Sequence, residues 1–444
     1  MRRFESALLS IGRRWALLAM LTVCALYLYV HQFQETNAYV GIVPMEALGH
    51  PLYWLGCAAW LFSIALLLPG RARSPSDVFL TIYLIGTALW SASYWPATQL
   101  LATGGAVVLW SGLLLPAALV KTAAWVVRQS TLRCGSFPVR IYREALPPFL
   151  IALLLVAALL GYRAAGAFAG FDFEAVYDRR LSGRDSFAGN ALAAYALQIA
   201  TNGLAPFLAY VGATRRSWFA VAAAFGFAIF GFWLLGLKSP FVAVAFLASL
   251  GLAVSRGWVA MFPRFVCMVV LAMMAISIVE LLVFDVSLIA EFVVRRVVLV
   301  TSMIQVYFVD AWSGGSGRMA WMTGIDYGGY TTVEYFIGAT YIGNELTNAN
   351  TNAFTRELAA GGVLGFLLVS GANAALVAYL DHLSHRLHRF DAYAISAILA
   401  LLLVEQSFTT ALVSSGVLLC LLLMNIFSAT PRTTDRHTST RRAT

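Results

Sequence analysis

Apolar runs of 18 or more residues recur along the whole chain, and this feature restricts the fold more than any other. Each run is long enough to cross a hydrocarbon core about 30 Å thick as an α-helix that rises about 1.5 Å per residue. Of the 444 residues, 60% are hydrophobic and 11% are charged, too few charges to cover a soluble protein of this size. Strand-like alternation is absent. The sequence therefore predicts an all-α polytopic membrane protein.

We predict about twelve transmembrane helices in a single integral membrane domain, residues 1–430, followed by a disordered cytoplasmic tail, residues 431–444. The first apolar run follows two arginines, as in a signal peptide, but no small-residue cleavage site follows it, so we expect a retained helix. The predicted spans are 15–31, 52–69, 77–95, 102–127, 146–163, 190–212, 217–235, 239–255, 262–284, 361–380, 391–406 and 409–428.

The basic residues indicate the orientation of these spans. Most of the 30 lysines and arginines fall in loops on one side, which the positive-inside rule assigns to the cytoplasm together with both termini. The net charge of +9 therefore indicates topology and not a nucleic-acid partner. The five cysteines are scattered and form no CxxC pair, so neither a disulfide framework nor a metal site is predicted.

Two connections on the other, periplasmic side are long, residues 164–189 and residues 285–360, the latter between spans 9 and 10. The first carries Arg179, Arg180 and Arg184 on the face that is otherwise poor in arginine. Guanidinium groups bind phosphate and carboxylate oxygens bidentately, and the alternative is local pairing with nearby acidic residues.

The longer loop begins with residues 288–307, which are apolar with charges at helical spacing, such as Glu291 and Arg295 at i,i+4. We expect an amphipathic helix at the membrane surface, where Arg295 and Arg296 either hold a lipid diphosphate or extend toward the interface.

The same loop ends in the densest polar segment of the chain, Asn344 to Glu357, directly before a glycine-rich helix entrance. Asn352 and Arg356 are four residues apart and share a helix face. Carboxamides are costly to desolvate, so this run predicts a polar cavity, and the alternative is an ordinary helix cap followed by packing glycines.

The order of these features resembles the Wzy-type O-antigen polymerases, which join oligosaccharide repeat units. The resemblance rests on Tyr177-Asp-Arg179, a short turn with Lys238, the Arg295-Arg296 helix, and a long loop with Tyr335-Phe-Ile-Gly and Thr347-Asn-Ala-Asn-Thr-Asn-Ala-Phe. It implies a GT-C-like glycosyltransferase of the bacterial inner membrane, with its active site facing the periplasm. Undecaprenyl-diphosphate-linked oligosaccharide would be the substrate, with no cofactor or metal, and a chain-length regulator is a candidate partner.

The resemblance also implies roles for individual residues. Arginines would stabilise the leaving diphosphate, asparagines would bind sugar or orient the arginines, and either Glu345 or Glu357 would be the general base. The residues assigned to catalysis are Arg179, Arg296, Arg356, Glu345 and Glu357. Those assigned to substrate binding are Tyr177, Arg180, Arg184, Lys238, Arg295, Arg318, Asn348, Asn350 and Asn352.

Two other functions fit a chain of this kind. O-antigen ligases share the architecture but carry a histidine in the corresponding outer loop, and this chain has no histidine between Pro51 and Asp381. A lipid-linked-oligosaccharide transporter would be expected to show repeat symmetry, which we do not find.

Overall fold

The computed structural model describes residues 2–37, 45–91, 103–130, 141–165, 187, 189–236, 238–313, 329–330 and 332–428. Over these ranges the chain is helical and contains no β-strand, which confirms the predicted all-α class. The helices are α1 (Arg2–Leu28), α2 (Pro51–Leu67), α3 (Pro75–Tyr83), α4 (Thr103–Gln129), α5 (Leu146–Ala165), α6 (Ala191–Thr214), α7 (Trp218–Leu235), α8 (Ser239–Ser255), α9 (Phe262–Phe284), α10 (Ala290–Trp312), α11 (Val333–Ile342), α12 (Ala353–Leu387), α13 (Ala392–Leu403), α14 (Phe408–Leu412) and α15 (Val417–Ile426).

Eight helical stretches within these ranges are long and apolar enough to cross a membrane, and four shorter apolar helices have 10–17 residues. The chain is therefore a helical membrane protein by length and composition, whereas the count of twelve spans stays a prediction. One of the eight, α10, lies inside the segment 285–360 that was predicted to be a loop. The helix expected over residues 288–307 is thus present, but it is buried along much of its length.

Several helices contain π-helical segments, in which each backbone hydrogen bond spans five residues and not the four of an α-helix. Such segments continue α1 over Tyr29–Phe33, continue α3 over Leu84–Ala88, and interrupt α6 over Ala200–Leu204. The first half of α10, Ala290–Val300, is also π-helical.

The core forms where α12 packs against α4, α6 against α8, and α13 against α3. Its buried side chains are mainly Leu, Ala, Val and Phe, with Trp60, Trp90 and Tyr83 among the largest. Helix α12 is kinked at Gly362, where φ is 62° and ψ is −163°. Because a side chain at positive φ is strained, glycine is the residue that permits this kink. The glycines at this helix entrance were predicted either to border a polar cavity or to serve packing, and Gly362 is the one at which the helix changes direction.

Candidate functional site

The polar segment that precedes α12 is built around Arg356. The Nε of Arg356 lies 2.8 Å from Oε1 of Glu334 in α11, and its Nη1 lies 2.7 Å from Oε1 of Glu357. All three side chains are largely buried. Sequence reasoning assigned Arg356 and Glu357 to catalysis separately, whereas the structure pairs them with each other.

Glu334 is the partner of Arg356 that sequence reasoning missed. Burial raises the pKa of its carboxyl, but the charge of Arg356 and the hydrogen bonds that it donates outweigh burial, so the pKa lies below its usual range. The cluster contains two carboxylates and one guanidinium, so its formal net charge is −1. Glu334 directly precedes the Tyr335-Phe-Ile-Gly motif, but nothing local in the sequence indicates a pair formed across 22 residues.

The asparagine-rich loop, residues 343–352, folds back onto α11. A Cβ at Gly338 would lie 2.0 Å from the carbonyl oxygen of Thr347, so the loop backbone rests directly on this glycine. The N–H of Ala349 donates to the carbonyl of Glu334 over 3.2 Å. These contacts leave the side chains of Asn348 and Asn350 exposed, where both are free to meet a ligand.

Asn352 has a structural position that its predicted role did not include. It is the N-cap of α12, and its Oδ1 accepts from the N–H groups of Phe354 and Thr355 at 3.0 and 3.1 Å. Its side chain is fully buried, and its Nδ2 has no hydrogen-bond partner among the described residues. Phe354, two residues after Asn352, packs edge-on against Tyr83 of α3. Helix α12 therefore begins inside the bundle.

Further buried polar groups lie on α10, on α12 and on the helical residues that follow Ala88. The Oγ of Ser91 donates to Oε1 of Gln305 over 2.6 Å. The Nε2 of Gln305 and the Oγ atoms of Ser302 and of Ser370 in α12 are buried and have no partner in the described part of the chain. Because buried polar groups are normally hydrogen-bonded, this interior is suited to water or to a polar ligand. The sequence gives no sign of it, since Ser91, Gln305 and Ser370 are tens of residues apart in the chain.

Near the start of α10, Arg295 and Arg296 have different surroundings. Arg295 forms the predicted i,i+4 ion pair with Glu291 at 2.8 Å, and its Nη1 donates to Oδ1 of Asn37 over 2.7 Å. Arg296 is exposed and has no hydrogen bond or ion pair with the described residues. One guanidinium thus holds α10 against the end of α1, and the other is available to a ligand.

Lys238, in the turn between α7 and α8, lies next to the same surface. Its Nζ is 5.6 Å from the ring centroid of Phe292, which is 65% exposed and one helical turn before Arg296. We call Lys238 and Arg296 the outer cation pair, after the side of the membrane to which the positive-inside rule assigns them. Val293 and Val297 are also exposed beside it, so two cations border an apolar surface.

The two carboxylates predicted as general base differ in exposure. Glu345 is exposed, and its Oε1 accepts from the hydroxyl of Tyr330 over 3.2 Å. Glu357 is buried, and its Oε1 is paired with Nη1 of Arg356 at 2.7 Å. Glu345 is therefore the more available of the two to a substrate hydroxyl.

The remaining predicted site residues, Tyr177, Arg179, Arg180, Arg184 and Arg318, lie outside the described residues. The predicted loop 164–189 and the tail 431–444 fall wholly or mostly outside them as well. Within the described ranges there is no group of three or more histidine, cysteine, aspartate or glutamate side chains that could hold a metal ion.

Comparison with known proteins finds no matching family, no matching curated protein and no matching solved structure.

Proposed function

We propose that this protein is a membrane glycosyltransferase that polymerises oligosaccharide repeat units carried on undecaprenyl diphosphate at the periplasmic face. The observation that carries the proposal is the outer cation pair, where Lys238 lies over the exposed ring of Phe292 and the exposed Arg296 follows four residues later on the same helix as that ring. A lipid-linked diphosphate needs cations for its phosphates and an apolar surface for its prenyl chain. The outer cation pair supplies the cations, and the exposed Val293 and Val297 of α10 supply the apolar surface beside them.

In the proposed reaction a hydroxyl of one repeat unit attacks the anomeric carbon of another. A new C–O bond forms, the bond between that carbon and the diphosphate oxygen breaks, and undecaprenyl diphosphate leaves with the electron pair. The hydroxyl proton passes to a base, for which Glu345 is the accessible candidate. The outer cation pair would stabilise the negative charge that develops on the leaving diphosphate.

The other parts of the site would support this reaction. Exposed Asn348 and Asn350 can donate to and accept from sugar hydroxyls. The ion pairs of Arg356 with Glu334 and Glu357 would hold the asparagine-rich loop in place. Arg356 therefore acts in this proposal as a positioning residue, because both carboxylates already occupy its guanidinium.

The proposal is tested with purified protein and lipid-linked repeat units. We expect a ladder of extended chains without added nucleotide or divalent metal, and a chelator should leave it unchanged. Lys238→Gln and Arg296→Gln should each lower the rate by about 10-fold to 100-fold, the effect of about 1.4–2.8 kcal/mol of lost charge stabilisation. Arg296→Lys, which keeps the charge but not the bidentate fork, should lie between the wild type and Arg296→Gln.

Arg256→Gln is the matched control, since Arg256 also lies over an exposed aromatic ring, that of Trp258, at the other end of α8. Its rate should equal that of the wild type. Movement of unextended repeat units across a liposome membrane would replace the polymerase by a transporter. Transfer of finished chains to a lipid A core acceptor, with no ladder, would replace it by a ligase.

A further inference from the structure

A large cavity opens at the end of the molecule opposite the outer cation pair. Its volume is about 1020 Å³, and it is enclosed by the start of α1, the end of α2, the 68–77 connection, α4 and the start of α9. Helix α8 begins just after Lys238 and ends before Arg256, close to the start of α9. The cavity therefore lies on the face that the distribution of basic residues assigns to the cytoplasm.

The lining of this cavity is strongly cationic. It includes seven basic side chains, Arg13, Arg14, Arg71, Arg73, Lys121, Arg128 and Arg264. Asp77 is the one carboxylate among the lining residues, and its Oδ2 already accepts from the N–H of Arg73 at 2.7 Å and from Ser74 Oγ at 3.0 Å. Behind the lining, buried Asp381 pairs with Arg128 at 3.2 Å. These two carboxylates balance only a small part of the positive charge.

The other basic groups have no acidic partner in the described part of the chain. Arg14 donates to the carbonyl of Leu68, and Lys121 donates to the carbonyl of Leu66 over 2.6 Å. These acceptors are neutral carbonyls at the end of α2, so the two hydrogen bonds position the cations without cancelling their charge.

Four more arginines in the lining, Arg13, Arg71, Arg73 and Arg264, have exposed side chains. Their guanidinium groups have no hydrogen bond or ion pair with the described residues. Like charges gathered in one cavity repel each other, and an anion would relieve that repulsion.

One wall of the same cavity is apolar and open to the surroundings. Leu9, Leu66, Trp125 and Met268 line it and are exposed by 65%, 43%, 60% and 55%. A soluble anion would make no favourable contact with this apolar wall, whereas the acyl chains of a lipid would cover it. A cationic cavity between membrane helices with an adjoining apolar wall is the arrangement in which lipid phosphates are held.

We propose that this cavity binds an anionic phospholipid, with the phosphodiester headgroup among the arginines and the acyl chains against Leu9, Leu66, Trp125 and Met268. This lipid site is separate from the proposed glycosyltransferase site, and its test does not depend on that proposal. The bound lipid would hold α1, α2, α4 and α9 together by neutralising the charge that they share.

The test measures lipid binding by the full-length purified protein with native mass spectrometry. The probes are diphosphatidylglycerol, phosphatidylcholine and inorganic pyrophosphate. We expect diphosphatidylglycerol to bind at least tenfold more tightly than either of the others. The double variant Arg71→Gln/Arg264→Gln should weaken its binding roughly tenfold or more, because each basic group near a lipid phosphate contributes on the order of a fivefold change in affinity.

The matched control is Arg216→Gln/Arg256→Gln, which removes two exposed arginines on the same face outside the cavity. Its affinity for diphosphatidylglycerol should stay within twofold of the wild type. Equal losses in both double variants would overturn the proposal, since the attraction would then be to net charge alone. Pyrophosphate binding as tight as that of the lipid would also overturn the proposal and would identify the ligand as a soluble anion. Equally tight binding of phosphatidylcholine would overturn it as well, because the cavity would then bind lipid through its apolar wall alone. An unchanged apparent Tm of the lipid-free variants shows that any loss reflects binding and not folding.

Discussion

Arg356 has two ion-pair partners, and the sequence indicates neither of them. Its position beside the asparagine-rich loop was predicted, and its two ion pairs, with Glu334 and Glu357, were not. Removal of one partner from such a pair leaves a largely buried charge uncompensated, which costs more than the pair contributes when intact. The ion pair of Arg356 with Glu334 therefore ties the start of α12 to α11.

Glu334→Gln should lower the stability of the protein at neutral pH by roughly 1–3 kcal/mol, because Arg356 loses one of its two anionic partners. The pKa of Glu334 is lowered on folding, so its stabilising effect is fully present above the ordinary carboxyl pKa and is lost as the pH falls through the lowered value. The apparent Tm in detergent should thus differ between wild type and variant at pH 7 and converge in acid.

The control is Glu35→Gln, since Glu35 is an exposed carboxylate near the end of α1 with no ion pair to the described residues. Its apparent Tm should follow that of the wild type at every pH. A gap between wild type and Glu334→Gln that persists unchanged in acid would mean that packing, and not charge, is responsible.

At the scale of elements, the contact between α11 and the asparagine-rich loop decides the shape of the candidate site. The loop backbone lies so close to Gly338 that no side chain fits there. This contact, together with the hydrogen bond from Ala349 to Glu334, places Asn348 and Asn350 at the surface and Asn352 at the cap of α12.

Gly338→Ala should displace this loop, since the new Cβ would meet the carbonyl oxygen of Thr347 at 2.0 Å. Overpacking of this kind costs about 1–3 kcal/mol, and the obstacle is backbone, which cannot rotate away as a side chain can. We expect a lower apparent Tm and faster proteolytic cleavage between residues 343 and 352.

Gly371→Ala provides the comparison for that variant, because Gly371 lies within α12 and a Cβ there meets nothing within 4 Å. Alanine is the better helix former by up to about 1 kcal/mol, so this change should leave stability equal or higher. Equal cleavage of the loop in both variants would contradict the close contact at Gly338.

For the whole molecule, the two ends of the helix bundle differ in charge and in exposed chemistry. The end that holds the cavity carries Arg13, Arg71 and Arg264, and the opposite end carries the asparagine-rich loop and the outer cation pair. The positive-inside rule predicts that the first end faces the cytoplasm and the second the periplasm.

This orientation is tested with single cysteines introduced at exposed sites on each end. Asn350→Cys should react with a membrane-impermeant maleimide in intact cells, and Ser255→Cys should react only after permeabilisation. The parent chain, with its own five cysteines, supplies the background. Labelling of the Ser255→Cys variant alone in intact cells would reverse the assigned orientation.

Much of the architecture was accessible from sequence because it depends on local patterns. The lengths of the apolar runs predict membrane helices, and the i,i+4 spacing of Glu291 and Arg295 predicts their ion pair. The glycine-rich entrance of α12 is visible in the sequence, although the positive φ of Gly362 is not. Each of these features involves residues that are near one another in the chain.

Composition and short-range periodicity are enough to predict the helical class and the membrane helices, and the basic residues of the loops predict the orientation. The folded structure is needed to show that Glu334 pairs with Arg356, that Lys238 meets the surface of α10, and that seven basic residues line one cavity. Helix packing brings these groups together over separations of tens to hundreds of residues. The complementarity of whole helix surfaces determines which faces meet, and no local pattern in the chain predicts the result.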